Sequence, residues 1–85
     1  MSGTNRRQDV VVKLPMGLHL RPLGILSETA SRFRCTMRIQ KGEMRLDGKG
    51  NPMDLIQLFA LYGDVLTLEA DGEDACQAID ELVRL

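Results

Sequence analysis

The 85-residue sequence has no tryptophan, one tyrosine, two phenylalanines, one histidine and two cysteines. Single-strand nucleic-acid binders stack bases on aromatic side chains, and there are too few here to build such a platform. No surplus of positive charge replaces them: eleven Lys and Arg stand against twelve Asp and Glu, a formal net charge of −1. Binding by phosphate neutralisation is therefore disfavoured, and no nucleic-acid partner is expected. No apolar run approaches the length of a membrane span, and the polar start has no signal-peptide core. The expected location is the cytoplasm, without membrane insertion. Cys35 and Cys76 lie in no metal-ligand spacing, and one histidine completes no zinc set. No metal or cofactor is implied, and both thiols read as small core or near-core groups kept reduced.

The length suits one modest hydrophobic core. A single domain over residues 1–85 is expected, with about residues 1–8 a flexible start because Met1 to Arg7 is polar and without period. From Asp9 to Leu14, consecutive valines favour a strand. Leu23, Leu26, Ala30 and Phe33 recur at helical spacing and predict a helix over 20–33 facing a sheet, with Ser27, Glu28, Ser31 and Arg32 in water. Cys35 to Gln40 alternates as a half-buried strand, Lys41-Gly42-Glu43 turns, and Met44 to Leu46 returns. Asn51-Pro52 is a helix start, with a capping amide and a proline in the first turn; the helix is predicted over 52–61 with Leu55, Leu58 and Phe59 inward. Val65 to Ala70 is the last strand. Glu73 and Asp74 place negative charge at the start of a last helix striped by Ala75, Ala78, Ile79, Leu82 and Leu85. The order β-α-β-β-α-β-α is that of an α+β domain, with three helices on one face of a four-stranded antiparallel sheet.

The chemistry-bearing stretch is Gly17-Leu18-His19-Leu20-Arg21-Pro22, where the first strand gives way to the first helix. Taken singly, these residues have ordinary roles: Gly17 a turn, Pro22 a first-turn residue, Arg21 a solvated surface, His19 a cap. Together they place an imidazole and a guanidinium beside the unpaired N–H groups of a helix start, which is an anion site. An imidazole there can act as a nucleophile on a phosphoryl group.

This stretch resembles the active-site segment of the HPr family, the histidine phosphocarriers of the bacterial phosphotransferase system. The likeness continues in order through Thr29-Ala30-Ser31-Arg32-Phe33, through Asp54-Leu55-Ile56-Gln57-Leu58 with Gly63, and through Glu69-Ala70-Asp71-Gly72-Glu73-Asp74-Ala75 into Ala78-Ile79-Asp80-Glu81-Leu82. The resemblance implies an open-faced sandwich with strand order 1-4-2-3. It implies that Nδ1 of His19 accepts a phosphoryl group from a phosphoenolpyruvate-dependent enzyme of the enzyme I type. His19 would then pass it to an enzyme IIA-type or regulatory acceptor protein, in sugar uptake or regulation. Such a protein is a monomeric carrier rather than a stand-alone enzyme. Arg21 would neutralise phosphoryl oxygens, and the backbone N–H groups of Leu20 and Arg21 would hydrogen-bond them. Leu20, Gly24, Met53 and Ile56 would form the partner-docking face; on periodicity alone, Met53 and Ile56 read equally well as core.

Three positions depart from the family pattern. Leu20 and Leu23 stand where small residues flank the Arg-Pro pair. Gly50 or Asn51 takes the place of a regulatory serine, so kinase control at that turn is not expected. Phe59 and Tyr62 replace small or polar residues. These departures leave a second reading: a regulatory protein-binding module of the same fold that docks without transferring phosphate.

Overall fold

The computed structural model describes residues 4–84. Its elements are β1 (Asn5–Val11), α1 (Leu20–Ser31), β2 (Thr36–Lys41), β3 (Met44–Asp47), α2 (Pro52–Leu55) continued by a 3-10 turn (Ile56–Leu58), β4 (Val65–Asp71) and α3 (Ala75–Val83). The strands form one antiparallel sheet in the order β1-β4-β2-β3, as the resemblance implies, and with the three helices this is the α+β order of elements that the apolar pattern predicts. Strand alternation and helical stripes meet in one core. Leu66, Leu68 and Ala70 of β4 and Met37 and Ile39 of β2 supply the sheet side. Leu23, Leu26 and Ala30 of α1, Leu55 and Leu58, and Ala78, Ile79 and Leu82 of α3 cover it.

The departures from sequence expectation have local causes. β1 begins at Asn5 rather than Asp9 and ends at Val11 rather than Leu14. Its polar start gains order from pairing, Asn5 against Asp71 through Arg7 against Glu69. The expected flexible start thus overlaps the sheet, and its first three residues lie outside the described residues. α1 stops at Ser31 rather than Phe33 because Arg32 and Phe33 donate their N–H groups to the carbonyls of Thr29 and Ala30, three residues back. Ser27, expected in water, is buried: its hydroxyl donates to the Gly50 carbonyl at 2.7 Å, so a distant loop satisfies it. α2 is shorter than predicted, because Phe59 enters the left-handed region (φ 52°, ψ 47°) and ends the turn. Phe59 is 70% exposed, not core. Asp74 does not cap the helix it precedes. Its carboxylate oxygens accept the N–H groups of Arg34 (2.8 Å) and Cys35 (2.9 Å), tying the α1–β2 connection to the start of α3. Leu85, placed in the α3 stripe, lies outside the described residues. Both thiols are free, Cys35 buried and Cys76 half-buried.

Candidate functional site

The segment between β1 and α1 is held at both ends. The Gly17 N–H closes a turn onto the Leu14 carbonyl at 2.8 Å, and the Leu18 N–H donates to the Ala60 carbonyl at 2.8 Å. Gly17 has φ +72°, and a Cβ there would sit 2.5 Å from the Ala60 oxygen and 3.1 Å from the Leu61 Cα. Only glycine fits this approach of two backbones. His19 follows at once.

His19 is the N-cap of α1, in extended conformation (φ −105°, ψ −173°), and its carbonyl accepts the Leu23 N–H at 3.1 Å. Its side chain makes no capping bond and is exposed, so the imidazole is free for chemistry. Leu20 and Arg21 occupy the first two helical positions, where N–H groups have no partner within the helix, and Pro22 takes the third, where it sacrifices no bond. The first turn of α1 carries no acidic residue. Among the described residues Arg21 is in no ion pair, and its side chain is exposed. Beside His19 runs an open groove of about 500 Å³ between β1, α1 and the end of α3. Val11, Ile25 and Val83 line it, with Lys13 and Arg21, and among the described residues no acidic side chain does. His19, Leu20 and Arg21 thus bring an imidazole, two N–H groups without a partner inside the helix and a guanidinium into three consecutive positions, a setting suited to an anion.

The residues expected to dock partners are all at the surface. Leu20 is 45% exposed and Gly24 half-exposed on α1; Met53 is 63% and Ile56 39% exposed on α2 and its 3-10 turn. The alternative reading of Met53 and Ile56 as core is set aside. α1 and α2 lie side by side where Gly24 faces Pro52, a Cβ on Gly24 reaching ordinary contact at 4.0 Å. Asn51 caps α2, its side-chain oxygen accepting the Met53 N–H at 2.9 Å, as the Asn-Pro pair predicts. Sequence reasoning missed the segment 59–64, whose Ala60 carbonyl seats the His19 loop; the Gly63-Asp64 pair signalled only a helix end. It also missed the groove, whose walls come from four separate elements, β1, α1, β4 and α3.

The description "PTS HPr component phosphorylation site" belongs to the family model that matches residues 6–85. The PEP-dependent dihydroxyacetone kinase phosphoryl donor subunit DhaM of Providencia stuartii is 41% identical over 76 residues, covering 88% of this chain but only 16% of that protein. The phosphocarrier protein HPr of Neisseria meningitidis is 34% identical over 79 residues, covering 93% of this chain and 88% of the relative. Among solved structures, HPr-C-His from Thermoanaerobacter tengcongensis superposes with a TM-score of 0.88 at 31% identity, over 94% of this chain and 89% of that one.

Proposed function

The chain belongs to the HPr family, and from that premise we propose that His19 is its phosphoryl acceptor and Arg21 and the Leu20 and Arg21 N–H groups its phosphate cradle. The unprotonated ring nitrogen attacks phosphorus; an N–P bond forms as the bond to the donor breaks, and the ring proton stays on the other nitrogen. The product is a phosphoramidate that a second protein accepts by the reverse step. Alone the chain turns nothing over, so it is a carrier rather than an enzyme. The upstream donor in this reading is an enzyme I-type phosphotransferase, and the acceptor an enzyme IIA-type or regulatory protein. Both dock on Leu20, Gly24, Met53 and Ile56, an exposed apolar face beside a polar site. Residues 1–85 act as one domain, as a monomer, in the cytoplasm. Serine phosphorylation has no acceptor at the Gly50-Asn51 turn.

The observation that carries this reading is the exposed imidazole at the N-cap of α1, free of any capping bond and followed by two N–H groups without a helical partner and by a guanidinium that is in no ion pair among the described residues. Incubation with phosphoenolpyruvate and an upstream enzyme of this system, followed by phosphorus NMR, tests it. Wild type is expected to show an acid-labile phosphoramidate resonance that His19→Ala lacks. No resonance with several upstream enzymes would replace the carrier with the non-transferring docking module.

A further inference from the structure

Segment 59–64 carries a contact set with no counterpart in the phosphate cradle. At the end of β2, Lys41 Nζ lies 2.8 Å from Asp64 Oδ2 and donates to the Phe59 carbonyl at 2.6 Å. The same Asp64 oxygen accepts the Leu61 N–H at 2.8 Å, and the Asp64 N–H donates back to the Leu61 carbonyl at 2.9 Å. Lys41 also stands 5.8 Å from the centre of the Phe59 ring. One ammonium thus gathers both ends of a six-residue turn whose first member, Phe59, holds a left-handed conformation that β-carbon residues disfavour.

That turn is the seat of the His19 loop. Gly63 donates to the Val12 carbonyl and Val12 to the Asp64 carbonyl, each at 2.8 Å, at the loop's start; Ala60 receives the Leu18 N–H at its end. Gly17 lies against the backbone of Ala60 and Leu61. Residues 12–18 are therefore clasped at both ends by the segment that Lys41 and Asp64 shape, and His19 is the next residue.

The geometry points to Lys41 and Asp64 as positioning residues that fix the His19 loop through the turn at 59–64. The inference rests on His19 being the phosphoryl acceptor. Neither side chain lines the groove beside His19; they act through Ala60 and Leu61. The carboxyl of Asp64 is held below its usual range, by the hydrogen bond from Lys41 first and the Leu61 N–H second, so the clasp is charged at neutral pH.

The test is amide hydrogen exchange together with phosphorylation kinetics on Lys41→Met, Lys41→Arg and the control Arg38→Met, which removes a 4.0 Å pair with Glu69 elsewhere on the sheet. In Lys41→Met, exchange at Leu18 and Gly63 is expected to rise about tenfold while Ala78, whose N–H donates to the Asp74 carbonyl at the start of α3, stays unchanged. The rate at saturating carrier is expected to fall about tenfold with KM unchanged, since a small misplacement of a nucleophile acts on the transfer step. Lys41→Arg is expected to restore both, and Arg38→Met to change neither. Unchanged exchange at Leu18 overturns the inference. So does a parallel rise at Ala78, which means global loosening, and so does a change in KM alone, which makes Lys41 a docking residue. If His19→Ala is still phosphorylated, the acceptor assignment falls and takes the positioning role with it, whereas exchange at Leu18 still reports separately whether Lys41 holds the loop.

Discussion

At the scale of single residues, the site depends on what Gly17 lacks. Its φ of +72° is one that a β-carbon disfavours, and the position a β-carbon would take lies 2.5 Å from the Ala60 oxygen, a contact that backbone cannot relieve by a rotamer change. Gly17→Ala is therefore expected to cost roughly 2–3 kcal/mol, combining left-handed strain with displacement of the Ala60 backbone. Urea denaturation measures it, and a loss below about 0.5 kcal/mol, the size of an ordinary surface change, would show the loop moving freely away from Ala60. With His19 as the proposed acceptor, the same variant should slow its loading, because the displaced segment is the one that leads into its N-cap. Gly17 was legible in the sequence as a turn; its reason was not, because the obstructing atoms belong to residues far along the chain. Ser27 shows the same limit, since a hydroxyl on the predicted wet face is buried only because the Gly50 carbonyl arrives over it.

At the scale of elements, strands and helices with a strong period appear where the pattern places them, and the exceptions are those settled by tertiary contact. α3 and β4 carry full apolar stripes and needed no partner to be recognised. β1 has an exposed polar start that only its ladder with β4 orders, so its first residues read as loose chain. The 3-10 turn that continues α2 ends at a left-handed phenylalanine, a choice that helical propensity could not foresee. So short a helix leans on its cap: Asn51→Ala is expected to lose about 1 kcal/mol, and Asn51→Ser to retain most of it, in urea denaturation. A full loss with serine would mean that the Asn51 side chain does more than accept the Met53 N–H. The junction of α1, β2 and α3 carries its own charge dependence. The Asp74 carboxyl is held below the usual aspartate range, chiefly by the Arg34 N–H, with the Cys35 N–H also lowering it against partial desolvation. A carboxyl lowered by folding stabilises the native state above its unfolded pKa, about 3.9, and that contribution fades as pH falls through the lower folded value. Asp74→Asn keeps one acceptor oxygen but removes the charge, so stability below about pH 4 should fall less steeply with acid than in wild type. Superimposable acid limbs in the two proteins would contradict this.

At the scale of the whole molecule, one hydrophobic cluster joins every element except the strands β1 and β3, whose Val10 and Leu46 are partly buried against it. A single core of this kind opens as a unit, so a reporter buried in it should see only global unfolding. Cys35 is that reporter. It is 2% exposed, its Cα lies 2.9 Å from where a Cβ on Gly72 would be, and its N–H is bound by Asp74. Burial, with the Asp74 carboxylate adding to it, pushes the thiol up to about 11. At pH 8 about one native molecule in a thousand then carries the reactive thiolate, even before access is considered. A reagent must wait for the chain to open. In a Cys76→Ser background, which leaves one thiol, labelling of Cys35 should run at least about a thousandfold slower than in the urea-unfolded chain. Its opening free energy should fall with urea at the same slope as the equilibrium unfolding transition, because both expose the same surface. Labelling that ignores urea at low concentration would instead locate a local opening at the α1–β2 connection. Asp74→Asn would then accelerate it by more than its shift of the global midpoint accounts for, and the core would have to be described as two units that meet at Cys35.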